Sequence, residues 1–115
     1  MRALTILKIL LILQYGAFAQ KPGSGLTISH LTGDFYVYTT YISLQGSPYP
    51  ANSMYMVTSR GVVLFDTPWD STQFQPLLDS IKARHNKKVV ACISTHFHQD
   101  RTAGLEYYRS KGIKT

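Results

Sequence analysis

Apolar positions in this chain follow two periods, and the change from one to the other divides it. Residues 89–93 read Val-Val-Ala-Cys-Ile and are closed by the polar Ser94 and Thr95. A short apolar run rich in β-branched residues and bounded by polar ones predicts a buried strand. Ahead of it, residues 75–85 place Leu77, Leu78, Ile81 and His85 on one side at helical spacing. Pro76 fits a first helical turn, so this helix is expected to begin near Phe74 or Gln75. After the strand, residues 102–111 read as a second helix, with Leu105, Tyr108 and Ile113 inward and Gly112 closing it. The earlier part alternates instead. Phe35, Val37, Thr39 and Tyr41 fall on one strand face, and Tyr36, Tyr38 and Thr40 on the other. Residues 54–58 and 62–66 predict two further strands joined by the tight turn Ser59-Arg60-Gly61. Leu26-Thr27-Ile28 predicts a short strand and Gly33-Asp34 a turn. Residues 42–50, interrupted by Gly46, Pro48 and Pro50, read as a loop. An antiparallel meander followed by strand–helix alternation gives a mixed α/β class.

The N-terminus departs from both patterns. Arg2 precedes an apolar stretch that runs to Leu13 with Lys8 inside it, and Ala17-Phe18-Ala19 has the small-x-small form of a cleavage site. Residues 1–19 are therefore expected to be a signal peptide cleaved before Gln20. The apolar segment is shorter than the roughly 20 residues a membrane helix needs, so no membrane association is expected after cleavage. The mature chain would be periplasmic or secreted. Lys21-Pro22-Gly23-Ser24-Gly25 reads as a flexible leader. Cleavage would remove Arg2 and Lys8, leaving ten cations against six acids, a balance of +4. The cations are scattered, with no basic run of a nucleic-acid-binding kind. The single cysteine, Cys92, has no intrachain partner and is expected to be a small buried apolar residue. His30 and His85 stand alone and are expected at the surface.

The chemistry concentrates at His96-Phe97-His98-Gln99-Asp100-Arg101, directly after the apolar strand. The C-terminal ends of strands are where α/β sheets place their sites. Side chains at i, i+2 and i+4 can share one side where a strand ends. Two imidazoles and a carboxylate suit zinc, which binds imidazole nitrogen at about 2.0–2.1 Å. The bland alternative is a polar strand-to-helix turn with incidental histidines. Asp66, ending its own strand, can cap a turn.

Thr95-His96-Phe97-His98-Gln99-Asp100-Arg101 resembles the zinc-binding motif of the metallo-β-lactamase superfamily. Arg101 stands where most of that superfamily has a further His. In this the chain resembles the first subclass of zinc β-lactamases, the flavobacterial secreted carbapenemases in particular, and departs from the glyoxalase-type thioester hydrolases. Residues 36–40, 51–57 and 61–69 resemble the upstream strands of the same enzymes. The resemblance implies the N-terminal half of a four-layer αβ/βα sandwich, an α/β fold in α+β layers, over residues 20–115. It implies two zinc ions in a complete enzyme. His96 and His98 would help bind the first and Asp100 the second. Asp100 would also be the catalytic residue that positions the nucleophile, Asp66 would either orient the ligands by hydrogen bonds or only cap its turn, and Arg101 would shape charge at the floor of the site. The implied activity is hydrolysis of the β-lactam ring of penicillins, cephalosporins and carbapenems by a metal-bound hydroxide, conferring antibiotic resistance, in an enzyme that is a monomer when complete. Residues 42–50 would match a flap, with Ile42, Leu44 and Tyr49 toward the substrate, and Trp69 would be packing. Members of the family are about twice this length, so the chain is expected to be a partial domain, inactive alone. The rival readings are another hydrolase of the superfamily and a secreted metal-binding module without turnover.

Overall fold

The computed structural model describes residues 25–115. The expected signal peptide, and the leader apart from Gly25, lie outside the described residues. Five strands form one sheet in chain order: β1 (Thr27–Thr32), β2 (Phe35–Leu44), β3 (Ser47–Thr58), β4 (Gly61–Phe65) and β5 (Val89–Ile93). The first four pair antiparallel, and β5 runs parallel to β4. A parallel neighbour requires a crossover, which α1 (Phe74–His85) supplies after one 3-10 turn, Ser71–Gln73. Asn86 ends α1 in the left-handed region, its N–H donating to the Lys82 carbonyl.

Alternation decides which face is packed. Tyr38 and Thr40 on β2, Ser53 and Tyr55 on β3, Val62 and Leu64 on β4, and Cys92 on β5 are buried. Phe74, Leu77 and Ile81 of α1 close over them with Tyr108 and Ile113. The neighbours between these positions, such as Met54, Met56, Val63 and Phe65, are only half-buried. The expectation of a buried β5 is therefore half right. Cys92 is 2% exposed, but Val90 and Ile93 are 39% and 54% exposed. Among the described residues the core is built on one sheet face, and the other stays open. Cys92 behaves as expected. Burial pushes its thiol up to about 12, so it is a poor nucleophile and a poor metal ligand.

Residues 42–50 are not a loop. β2 and β3 pair through to Leu44↔Ser47, closed by Gln45 and Gly46. Both turn residues have positive φ, 51° and 80°, which matches the twist of a two-residue hairpin. The prolines fit because they need no partner. Pro50 pairs with Tyr41, but Tyr41 turns its backbone away, its N–H donating to Gln73 Oε1 and its carbonyl accepting from Gln73 Nε2, both at 3.2 Å. Pro48 lies two residues away and shares that orientation. Proline is tolerated at such positions on a strand edge.

The expected helix over 102–111 is two short ones, α2 (Gln99–Thr102) and α3 (Leu105–Ser110). The break has a tertiary cause. The Gly104 N–H donates to Thr67 Oγ1 at 3.0 Å. A Cβ on Gly104 would meet Phe74 and Thr67 at 3.1 Å. Tyr108 and Ile113 point inward as expected, with Leu105 half-buried, and Gly112 closes the segment at φ 79°.

His85 corrects another expectation. It is no free surface histidine: its Nε2 lies 2.8 Å from Tyr55 Oη, and its ring meets Tyr36 edge-on with centroids 4.6 Å apart. Tyr36 in turn stacks on Tyr55. Desolvation, then the adjacent Arg84, lowers the His85 pKa from 6.5. The folded chain thus binds fewer protons here than the unfolded chain. The His85 contribution is complete above the unfolded value of about 6.5. It is lost progressively as pH falls below that value toward the lowered folded one. Urea midpoints measured between pH 8 and 5 should fall on acidification, and a His85→Phe variant should flatten that slope. An equal slope in both proteins would refute this.

Candidate metal centre

The site lies where β4 and β5 end side by side. β4 stops at Phe65, one residue earlier than the pattern suggests. Asp66 follows at φ 69°, in the left-handed region, and is 5% exposed. Asp is among the few residues that tolerate this conformation, and the surroundings enforce it. The Asp66 N–H donates to the Ile93 carbonyl at 2.8 Å, and the Asp66 carbonyl accepts from the buried Tyr38 hydroxyl at 2.9 Å. The carboxylate is left aimed across to the segment after β5. There Oδ1 accepts from the Thr95 N–H at 2.7 Å, and both oxygens lie within 3.0 Å of the Thr95 hydroxyl.

Thr95 passes this restraint to the next residue. Its Oγ1 is 3.0 Å from His96 Nδ1. A hydroxyl carries one proton. With that proton on Asp66, the oxygen accepts from His96 Nδ1–H, which leaves Nε2 as the lone-pair nitrogen. The Asp66–Thr95–His96 relay thus turns one imidazole and selects its tautomer. Sequence reasoning missed Thr95 as a working residue. The only signal was a hydroxyl directly before the first His, and its partner lies 29 residues away in sequence.

His96, His98 and Asp100 come together. Each offers one donor atom, and these atoms all lie within 4.8 Å of one another. The two imidazoles are exposed and Asp100 is half-buried. Phe97, between them, is 84% exposed and sets its ring edge-on to that of His98, centroids 4.7 Å apart. A tetrahedral metal would draw the donors closer, and exposed imidazoles can rotate to do so. The donors fit zinc in kind and are fewer than a complete site needs. Cys92 contributes nothing to the cluster. Its Sγ points at the Asp66 carbonyl, 3.5 Å away.

Arg101 ties the carboxylates to the sheet. Nη1 donates to the Asn52 carbonyl at 2.9 Å and to Ser53 Oγ at 3.2 Å, and it lies 3.6 Å from Asp66 Oδ2. Nε is 3.0 Å from Asp100 Oδ2, yet its N–H is not aimed for a hydrogen bond. That contact is ionic attraction rather than a directed bond. One oxygen of Asp100 is thereby held beside the arginine. The arginine thus stands between the two aspartates expected to act at the site.

The model of the Metallo-beta-lactamase superfamily matches residues 46–115. The chain is 48% identical over 99 residues to "Metallo-beta-lactamase type 2" of Elizabethkingia meningoseptica, an alignment covering 86% of this chain and 39% of that protein. It is 49% identical over 85 residues to "Metallo-beta-lactamase IND-1" of Chryseobacterium indologenes, covering 74% and 36%. The crystal structure of metallo-beta-lactamase IND-7 superposes with a TM-score of 0.77 at 46% identity, over 81% of this chain and 43% of that one. The chain therefore spans less than two-fifths of the length of these two curated relatives.

Proposed function

This chain belongs to the metallo-beta-lactamase superfamily, and from that premise we propose that it carries one side of a zinc centre that opens the β-lactam ring of antibiotics. The observation that carries the reading is the convergence of His96, His98 and Asp100 within 4.8 Å at the rim of β5. His96 and His98 would hold one zinc and Asp100 a second, in a protein exported to the periplasm by residues 1–19. A bound zinc supplies a Lewis acid and lowers the pKa of a water from 15.7 to about 7.

The chain's own residues do the rest. Asp66 and Thr95 fix the His96 ring and leave Nε2 as the nitrogen that would bind the ion. Asp100 is the catalytic residue: its carboxylate, which would also hold the second zinc, accepts a hydrogen bond from the attacking water and orients it toward the lactam carbonyl. Arg101 holds one Asp100 oxygen and keeps the carboxylate from swinging to solvent.

Three donors fall short of a complete zinc site, so the 115-residue chain alone should show no nitrocefin turnover. A chimera in which it replaces the matched segment of the Elizabethkingia relative should hydrolyse nitrocefin. The same chimera carrying His98→Ala should not. A chimera that binds zinc and folds yet leaves nitrocefin intact would refute the reading.

Thr95 gives a finer check. Residues that orient metal ligands typically contribute about 10–100-fold in metal affinity. Thr95→Val should lower zinc affinity by about tenfold, and Thr95→Ser should restore it. Equal affinities in Thr95→Val and the parent chain would remove the relay from the account.

A further inference from the structure

The second concentration of charge lies at the other end of β5. That strand is five residues long, so Val89, which lines the groove, lies about 13 Å from the strand end that carries the metal rim. There a groove of about 350 Å³ opens between α1 and the turn after α3. That volume lies at the lower end of the range for small-molecule sites. Its floor is apolar: Ile113 is buried, and Leu78 and Val89 are half-buried. Its rim carries three ammonium groups, Lys82, Lys88 and Lys111.

These charges lack anionic partners. Among the described residues the ion pairs join Arg101 to Asp66 and Asp100, and Arg109 to Glu106; none uses a lysine. Lys82 donates to Asn86 Oδ1 at 2.9 Å, and Lys111 lies 5.2 Å over the Tyr107 ring. The one acid at the groove, Asp79, accepts from Gln75 Nε2 at 2.8 Å. Gln75 Oε1 in turn accepts from the Tyr107 hydroxyl at 2.6 Å. This chain of bonds fixes the wall and leaves the cations in excess by two.

We propose that this groove binds an amphiphilic anion of the acyl-carboxylate class, with the chain on Leu78, Val89 and Ile113 and the carboxylate among the three lysines. An inorganic anion would leave the floor uncovered, and a neutral alkyl chain would leave the cations unpaired. The proposal stands apart from the zinc reading, because no residue is shared with the metal rim.

Titration of the 115-residue chain with decanoate below its micelle concentration tests it, followed by calorimetry and by amide shifts of Val89 and Ile113. Decanoate should saturate with those amides moving, while acetate and decyltrimethylammonium should not. The Lys82→Gln/Lys88→Gln/Lys111→Gln chain should weaken decanoate binding at least tenfold, with its melting temperature confirming the fold. The single Lys111→Gln change should show a smaller loss in the same direction. The inference is overturned if the triple variant binds decanoate as well as the parent does. It is also overturned if decyltrimethylammonium binds equally, or if only anionic phosphatidylglycerol vesicles are bound.

Discussion

His98→Ala should reduce zinc affinity of the chain by more than about 100-fold, measured by competition with a chromophoric chelator. The magnitude follows from comparison. Loss of a group that merely orients a ligand costs about 10–100-fold, and losing the ligand itself must exceed that. His98 has no other evident task. It is exposed, and among the described residues its side chain forms no hydrogen bond and its ring meets only the neighbouring His96 and Phe97 rings. Folding stability without metal should therefore stay within about 0.5 kcal/mol of the parent, as for ordinary surface substitutions. A large loss of affinity with no loss of apo stability marks a residue kept for binding. Comparable losses in both would make His98 structural.

Asp66→Ala should produce the largest loss of stability at the site, about 2–3 kcal/mol in urea unfolding. Removing a buried acceptor leaves its donors without a partner. Here the Thr95 N–H and hydroxyl lose their acceptor, Arg101 keeps Asp100, Asn52 and Ser53 but loses its Asp66 contact, and alanine must also adopt φ 69°. Zinc affinity should fall too, because Thr95 loses the acceptor that sets the His96 tautomer. Asp66→Asn separates the two effects. Asparagine tolerates the left-handed conformation and still accepts from the Thr95 N–H, so most stability should return. It cannot pair with Arg101, so the electrostatic part should not. Full stability in Asp66→Ala would show that the β4–β5 junction is held by backbone bonds alone.

The parts of the fold readable in advance were those fixed by local period. α1 was legible from Leu77, Leu78 and Ile81 with Pro76 at its start, and the meander from alternation and turn residues. The misses each involve a distant partner. Pro48 and Pro50 argue against a strand unless Gln73 is known to take the Tyr41 backbone. The α2–α3 break depends on Thr67, 37 positions from Gly104. His85 gains its place from Tyr55 and Tyr36 on two other strands. The open face behind Val90 and Ile93 could not be read from an apolar run that suits either one covered face or two. At the site the same rule holds. Spacing alone brought His96, His98 and Asp100 to one side, because i, i+2 and i+4 is a local property. The Thr95 relay and the Asn52 and Ser53 anchors of Arg101 came only with the tertiary structure.

X-ray absorption at the zinc edge of the metal-loaded chain is the most direct measurement. The account predicts scattering from two imidazole rings, with nitrogen at about 2.0–2.1 Å, and its disappearance in the His96→Ala/His98→Ala/Asp100→Ala chain. Imidazole scattering that persists unchanged in that triple variant, or its absence from the parent, would contradict it.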